Sequence, residues 1–122
     1  MVALTKLNRD TWEYEPVEGT EDFEEVARLD SGEMYSWDSL GVYYSKSRRL
    51  FFWLHDSGCS CNSYGEYVES IEDFENGPRA AVINAAEAFA IVRGRDNYYG
   101  VTPEERASFL EQIRTFKPGA AQ

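Results

Sequence analysis

Residues 50–55 read Leu50-Phe51-Phe52-Trp53-Leu54-His55, a short run that is apolar at every position but the last. A run of that length, rich in aromatics and closed by turn-forming residues, reads as a β-strand. Alternation places Leu50, Phe52 and Leu54 on one face and Phe51, Trp53 and His55 on the other. Both faces are apolar, so the strand is expected in the middle of a sheet with cover on both sides. Asp56-Ser57-Gly58 is expected to break it.

Leu40-Gly41-Val42-Tyr43-Tyr44 has strand composition, and Ser45–Arg49 is a polar connection of hairpin length between the two. Before them, Phe23–Leu29 suits a strand with Phe23, Glu25, Ala27 and Leu29 on one face, fed onward by the turn Asp30-Ser31-Gly32. Further out, Trp12, Tyr14 and Pro16-Val17 suit a short edge strand or an ordered arm.

After the strands the period changes. Ser70 is a plausible N-cap for a short helix near 71–75, closed by Asn76-Gly77. Val82, Ile83, Ala86, Phe89 and Ala90 mark one face of a helix over 78–93, with Gly94 as its stop. Thr102-Pro103-Glu104-Glu105 is a helix start with a capping box. Phe109, Leu110, Ile113 and Phe116 form the apolar face of that helix over 103–116, and Lys117-Pro118-Gly119 ends it. Strands first and helices second predict an α+β domain. It has a small antiparallel sheet of about three strands (23–29, 40–44, 50–55) and two main helices. At 122 residues the chain reads as one domain, with 1–10 and 118–122 as fraying ends.

There are 12 Lys and Arg against 22 Asp and Glu, a net charge of −10. That balance argues against direct nucleic-acid binding and against an anionic membrane surface. No apolar run approaches the roughly 20 residues needed to cross a bilayer. Met1–Asp10 has no apolar core of the secretory kind, so an intracellular protein is expected. The acids are concentrated. Residues 10–33 hold ten of them, opposed by Arg28 alone, and residues 66–75 add five more with no base. A solvated surface accounts for such a pattern. So does a face that docks a basic partner or imitates DNA.

The segment from Phe23 to Asn62 resembles a group of small uncharacterised proteins encoded by phages of actinobacteria. The resemblance is carried by the acidic strand ending at Leu29, by Tyr35-Ser36-Trp37-Asp38-Ser39-Leu40, and by Asp56-Ser57-Gly58-Cys59-Ser60-Cys61 after the aromatic strand. It implies a phage origin and a setting in the cytoplasm of an infected host cell, with the virion as the alternative. It transfers no catalytic residue.

The sole histidine and both cysteines fall within seven positions of one another. His55, Cys59 and Cys61 offer three zinc ligands, with Asp56 or a water as the fourth. Against this, the Cys-x-Cys spacing is tight and no second pair follows. The same residues can be a shaped loop, with Asp56 and Ser57 bonding nearby backbone and the cysteines as small fillers. A Cys59–Cys61 disulfide closes a very small ring, so reduced thiols are expected. A cysteine nucleophile served by His55 lacks any flanking signature, and a divalent ion held by Asp38, Asp56 and Glu66 has only the abundance of acids behind it. No phosphate-binding glycine loop is present. The chain thus nominates no catalytic residue and no obligatory cofactor, with zinc as the one cofactor left open.

Loop aromatics are the remaining candidates: Tyr35 and Trp37 before the second strand, Tyr64 and Tyr67 after the cysteines, and Tyr98 and Tyr99 between the helices. They suit either cover for the core edge or anchors for a protein partner. Taken together, the sequence predicts a non-enzymatic acidic binding protein. A phage-encoded modulator that occludes a basic surface fits best. A zinc domain centred on His55, Cys59 and Cys61, or a minor virion component, is the alternative.

Overall fold

The computed structural model describes residues 4–32, 35–95 and 101–118. Among them the chain forms six strands and two α-helices. These are β1 (Thr5–Asn8), β2 (Glu13–Pro16), β3 (Phe23–Gly32), β4 (Ser36–Ser45), β5 (Leu50–Cys59), β6 (Glu75–Gly77), α1 (Arg79–Arg95) and α2 (Pro103–Thr115). β1 and β2 make a hairpin of their own, and β3-β4-β5-β6 form a four-stranded antiparallel sheet in that order. The α+β class and the order of strands before helices match the sequence reading.

The three expected strands are all present and all longer than expected. β5 runs straight through Asp56-Ser57-Gly58, because Ser36–Ser39 pair with Asp56–Cys59 across the ladder. Ladder hydrogen bonds on a central strand outweigh the local turn preference of those residues. The short helix expected near 71–75 is a single 3-10 turn over Ile71–Asp73, capped as expected by Ser70. The last residue of the expected helix, Glu75, belongs instead to β6, where Phe51–Trp53 pair with Glu75–Gly77. Residues 5–8, within the N-terminal segment, pair with residues 13–16.

The sheet is covered on both faces, as the composition of β5 requires. On one face, Phe51 and Trp53 join Leu29, Leu40, Val42 and the apolar sides of α1 and α2, including Val82, Ala86, Phe109 and Ile113. On the other, Phe52 joins Phe23, Tyr43, Val17, Val68 and Phe74 under the loop that follows β5. A β-bulge at Val26 shifts the β3 register between Glu25 and Ala27. The extra residue splits the face expected to hold Phe23, Glu25, Ala27 and Leu29. Phe23 packs under the loop, while Ala27 and Leu29 pack under the helices.

Two polar devices hold the periphery. Arg79, at the start of α1, donates to the carbonyls of Ile113 (2.6 Å) and Phe116 (2.8 Å) at the end of α2, where helix carbonyls lack partners. Thr102 and Glu105 form the expected capping box at the start of α2.

Candidate functional site

His55 lies on the helix-facing side of β5 and pairs through Nε2 with Oδ1 of Asp38 on β4. The two are diagonal neighbours in the ladder, since Leu40 is opposite His55 and Ser57 is opposite Asp38. The edge of the imidazole meets Phe89 of α1, with ring centroids 5.3 Å apart. A groove of about 320 Å³ opens here, lined by Leu40, Trp53, His55, Glu75, Ala85 and Phe89 among others. The Trp53 indole N–H donates to Glu75 Oε2 at 2.7 Å and ties β6 to the groove wall.

Asp56, next in sequence, points to the opposite face. Its carboxylate accepts from the Gly65 N–H (2.8 Å) and the Ser57 N–H (2.9 Å), which shapes the following loop. Cys59 and Cys61 are joined in a disulfide, which corrects the expectation of reduced thiols. The Cys59 N–H donates to Asn62 Oδ1 at 2.9 Å, so the small ring sits in a tight turn. The four sequence-proposed metal ligands are therefore dispersed. Among the described residues no group of three or more His, Cys, Asp or Glu side chains stands arranged to hold a metal ion. Asp38 and Asp56 stand on opposite faces of the sheet.

The aromatic candidates divide. Trp37 donates its indole N–H to the carbonyls of Cys59 (2.9 Å) and Asn62 (3.1 Å), so it holds the cysteine turn. Tyr64 donates its hydroxyl to the Leu54 carbonyl at 2.9 Å and lies beneath the Arg28 guanidinium. Burial drives its phenol well above the ordinary tyrosine range, and the neighbouring Tyr43 adds to that shift. Tyr35 and Tyr67 are open to solvent, at 72% and 73% exposure. Tyr98 and Tyr99 lie outside the described residues.

Trp12 and Tyr14, in the segment expected as a short edge strand or an ordered arm, are also exposed, at 71% and 73%. Trp12 occupies the left-handed region (φ 60°) at the tip of the β1–β2 hairpin. Asn8 builds this turn: its carbonyl accepts the Trp12 N–H at 2.7 Å, and its side chain accepts the N–H groups of Asp10 and Thr11. The available signal is Asn8 itself, a residue type whose side chain bonds backbone two residues on and so marks a turn. Below the tip, Tyr14 lines a cleft of about 170 Å³ with Lys6, Arg9, Tyr64 and Glu66. Tyr67 lines the adjoining groove with Glu15, Glu66 and Glu69. The hairpin and the loop thus present exposed rings among carboxylates. Lys6 spans them by donating to the Glu69 carbonyl at 3.3 Å.

At the far end of the sheet, Asp22 organises the β4–β5 turn. It accepts from the Ser47 N–H (2.7 Å) and the Ser45 hydroxyl (2.9 Å) and faces Arg48 at 3.6 Å. Burial alone would raise its carboxyl pKa. The hydrogen bonds from Ser47 and Ser45 outweigh burial and hold it below the ordinary value.

A family model described as a domain of unknown function, DUF7574, matches residues 12–117. No curated protein and no solved structure matches the chain. The chain belongs to the DUF7574 family.

Proposed function

We propose that this DUF7574 member is a non-enzymatic binding protein that docks on a basic protein surface and occludes it. The observation that carries this reading is the hairpin tip. Trp12 is a bulky side chain in a backbone region that disfavours it, and the ring is left in water. A residue held at such a cost without packing in return suits a contact made elsewhere. Tyr14 and Tyr67 add amphipathic rings, and Glu13, Glu15, Glu66 and Glu69 supply the charge around them. Aromatic anchors contribute affinity at an interface, while the carboxylates steer a cationic partner toward it. The resemblance of residues 23–62 to small actinobacteriophage proteins supports a phage-encoded modulator acting in the cytoplasm of the infected cell.

The test is capture from host lysate with tagged protein at low and high salt, alongside Trp12→Ala and Tyr14→Ala. The expected result is one saturable partner that is released by salt and lost with the variants. A partner held equally well at high salt and by both variants would defeat the proposal.

A further inference from the structure

β3 is the outermost strand of the four-stranded sheet, and β4 takes only one of its edges. Successive backbone N–H and C=O groups of a strand point to alternate sides, so part of the β3 backbone faces away from β4. Among the described residues, residues 24–32 make no backbone hydrogen bond outside the β3–β4 ladder. The bulge at Val26 disturbs the first half of the strand. From Ala27 to Gly32 the register against Val42–Trp37 is unbroken. This half has neither proline nor lysine, two of the usual guards of an open edge. Its one cation, Arg28, is committed to Asp30 at 2.7 Å and to the face of Tyr64.

A groove of about 360 Å³ runs beside this edge, between β3 and α2. Leu29 and Phe109 give it an apolar floor, and both belong to the buried core. Asp30, Glu104 and Glu105 form its rim. Backbone unpaired among the described residues, an apolar floor and an anionic rim are the three things an added β-strand uses: main-chain bonds for affinity, a pocket for alternate side chains, and charge for selection.

We infer that residues 27–32 of β3 accept an extended segment of a partner as a further strand, and that this segment alternates Lys or Arg with apolar residues. Its apolar side chains enter the groove over Leu29 and Phe109. Its cations alternate to the other face of the added strand, the side on which Asp30 lies. The inference rests on the reading that the partner is basic, and it adds the mode of contact. A second copy of this chain is the poorer occupant, because each copy carries −10 and would bring the same anionic rim.

The probe is the peptide Lys-Val-Lys-Val-Lys-Val-Lys-Val, titrated into the full nitrogen-15-labelled chain. An analogue N-methylated at alternate residues serves as control, with the same charge but one hydrogen-bonding edge removed. The expected result is slowed amide exchange at alternate positions between Ala27 and Gly32, and binding weakened about tenfold or more by N-methylation. Equal affinity for both peptides, with shifts confined to the Trp12–Tyr14 hairpin and Tyr67, overturns strand addition and leaves the basic-partner reading standing. Binding of neither peptide overturns both. Edge protection without peptide, together with a dimer mass, assigns the edge to self-pairing and overturns the inference.

Discussion

The Arg28 guanidinium carbon lies 4.2 Å from the centroid of the Tyr64 ring, and Gly41 is the reason the ring fits there. Arg28, Gly41 and Leu54 are register partners on three adjacent strands. The Tyr64 ring crosses this row. It stacks beneath Arg28 at one end and donates its hydroxyl to the Leu54 carbonyl at the other. A Cβ on Gly41 would stand 2.7 Å from the Tyr43 hydroxyl oxygen and closer still to that of Tyr64. Loop and sheet are joined at this crossing.

Gly41→Ala is therefore expected to destabilise the fold by about 1–3 kcal/mol, the usual cost of forcing extra volume into a packed layer. Tyr64→Phe alone loses the bond to Leu54 and leaves that carbonyl to find another donor, at about 1 kcal/mol. The double variant should cost less than the sum, because the nearer of the two oxygens that crowd the new methyl is gone. Urea denaturation of the three variants and the parent measures this. Strict additivity would show that the crowding at Gly41 is relieved some other way.

The same crossing makes the stability of the fold depend on alkaline pH. Burial raises the phenol pKa values of Tyr43 and Tyr64 above the ordinary 10.0, and each lies beside the other's hydroxyl. The unfolded chain therefore releases these protons before the folded one does. Their contribution is intact below pH 10 and is lost progressively as pH rises above it. The urea midpoint, followed from pH 8 to 11.5, should be flat in this respect and then fall. Tyr64→Phe should flatten the fall. An unchanged slope in that variant would remove Tyr64 as its source.

Asp22 carries the opposite dependence. Its folded pKa lies below the ordinary 3.8, so its contribution is present above that value and is lost as pH falls through the lowered folded value. Asp22→Asn is expected to cost about 1–2 kcal/mol at neutral pH, because the Ser47 N–H and Ser45 hydroxyl lose a charged acceptor. It should also shallow the decline in stability between pH 5 and pH 3. Equal acid sensitivity in the variant and the parent would mean that other carboxylates dominate the acid limb.

What could be read from the chain follows its period. Phe51, Phe52, Trp53 and Leu54 declared a two-faced central strand, and both faces are covered by the layers that this requires. Thr102, Pro103 and Glu105 declared the start of α2. Elements whose cause lies elsewhere in the chain were not legible. Asn76-Gly77 looks like a helix stop and, with Glu75, becomes β6 because Phe51–Trp53 offer it an edge. Asp56–Gly58 looks like a turn and stays in β5 because Ser36–Ser39 pair with it. Val26 gives no local sign of the bulge that divides Phe23 from Ala27. For the candidate site, the clustering of His55, Asp56, Cys59 and Cys61 along the chain suggested one centre. Strand alternation sends the first two to opposite faces, and the disulfide takes the last two. The exposed rings of Tyr35 and Tyr67 were named from their loops, whereas Trp12 and Tyr14 were hidden by their strand-like setting.

Trp12 separates the contribution of a residue to folding from its contribution to binding. Its ring packs against nothing that buries it, and its backbone sits at φ 60°, where a Cβ is unfavourable. Trp12→Gly removes that conflict and loosens the unfolded chain, two effects of opposite sign and similar size. Stability should change by less than about 1 kcal/mol in either direction, and the Asn8 turn should remain, since its bonds are to backbone N–H groups. Capture of a salt-sensitive partner should fall steeply in the same variant. Ile91→Ser removes an exposed apolar side chain from α1 and should leave capture unchanged. If Trp12→Gly costs several kcal/mol and retains the partner, the hairpin tip serves the fold and the docking face lies elsewhere.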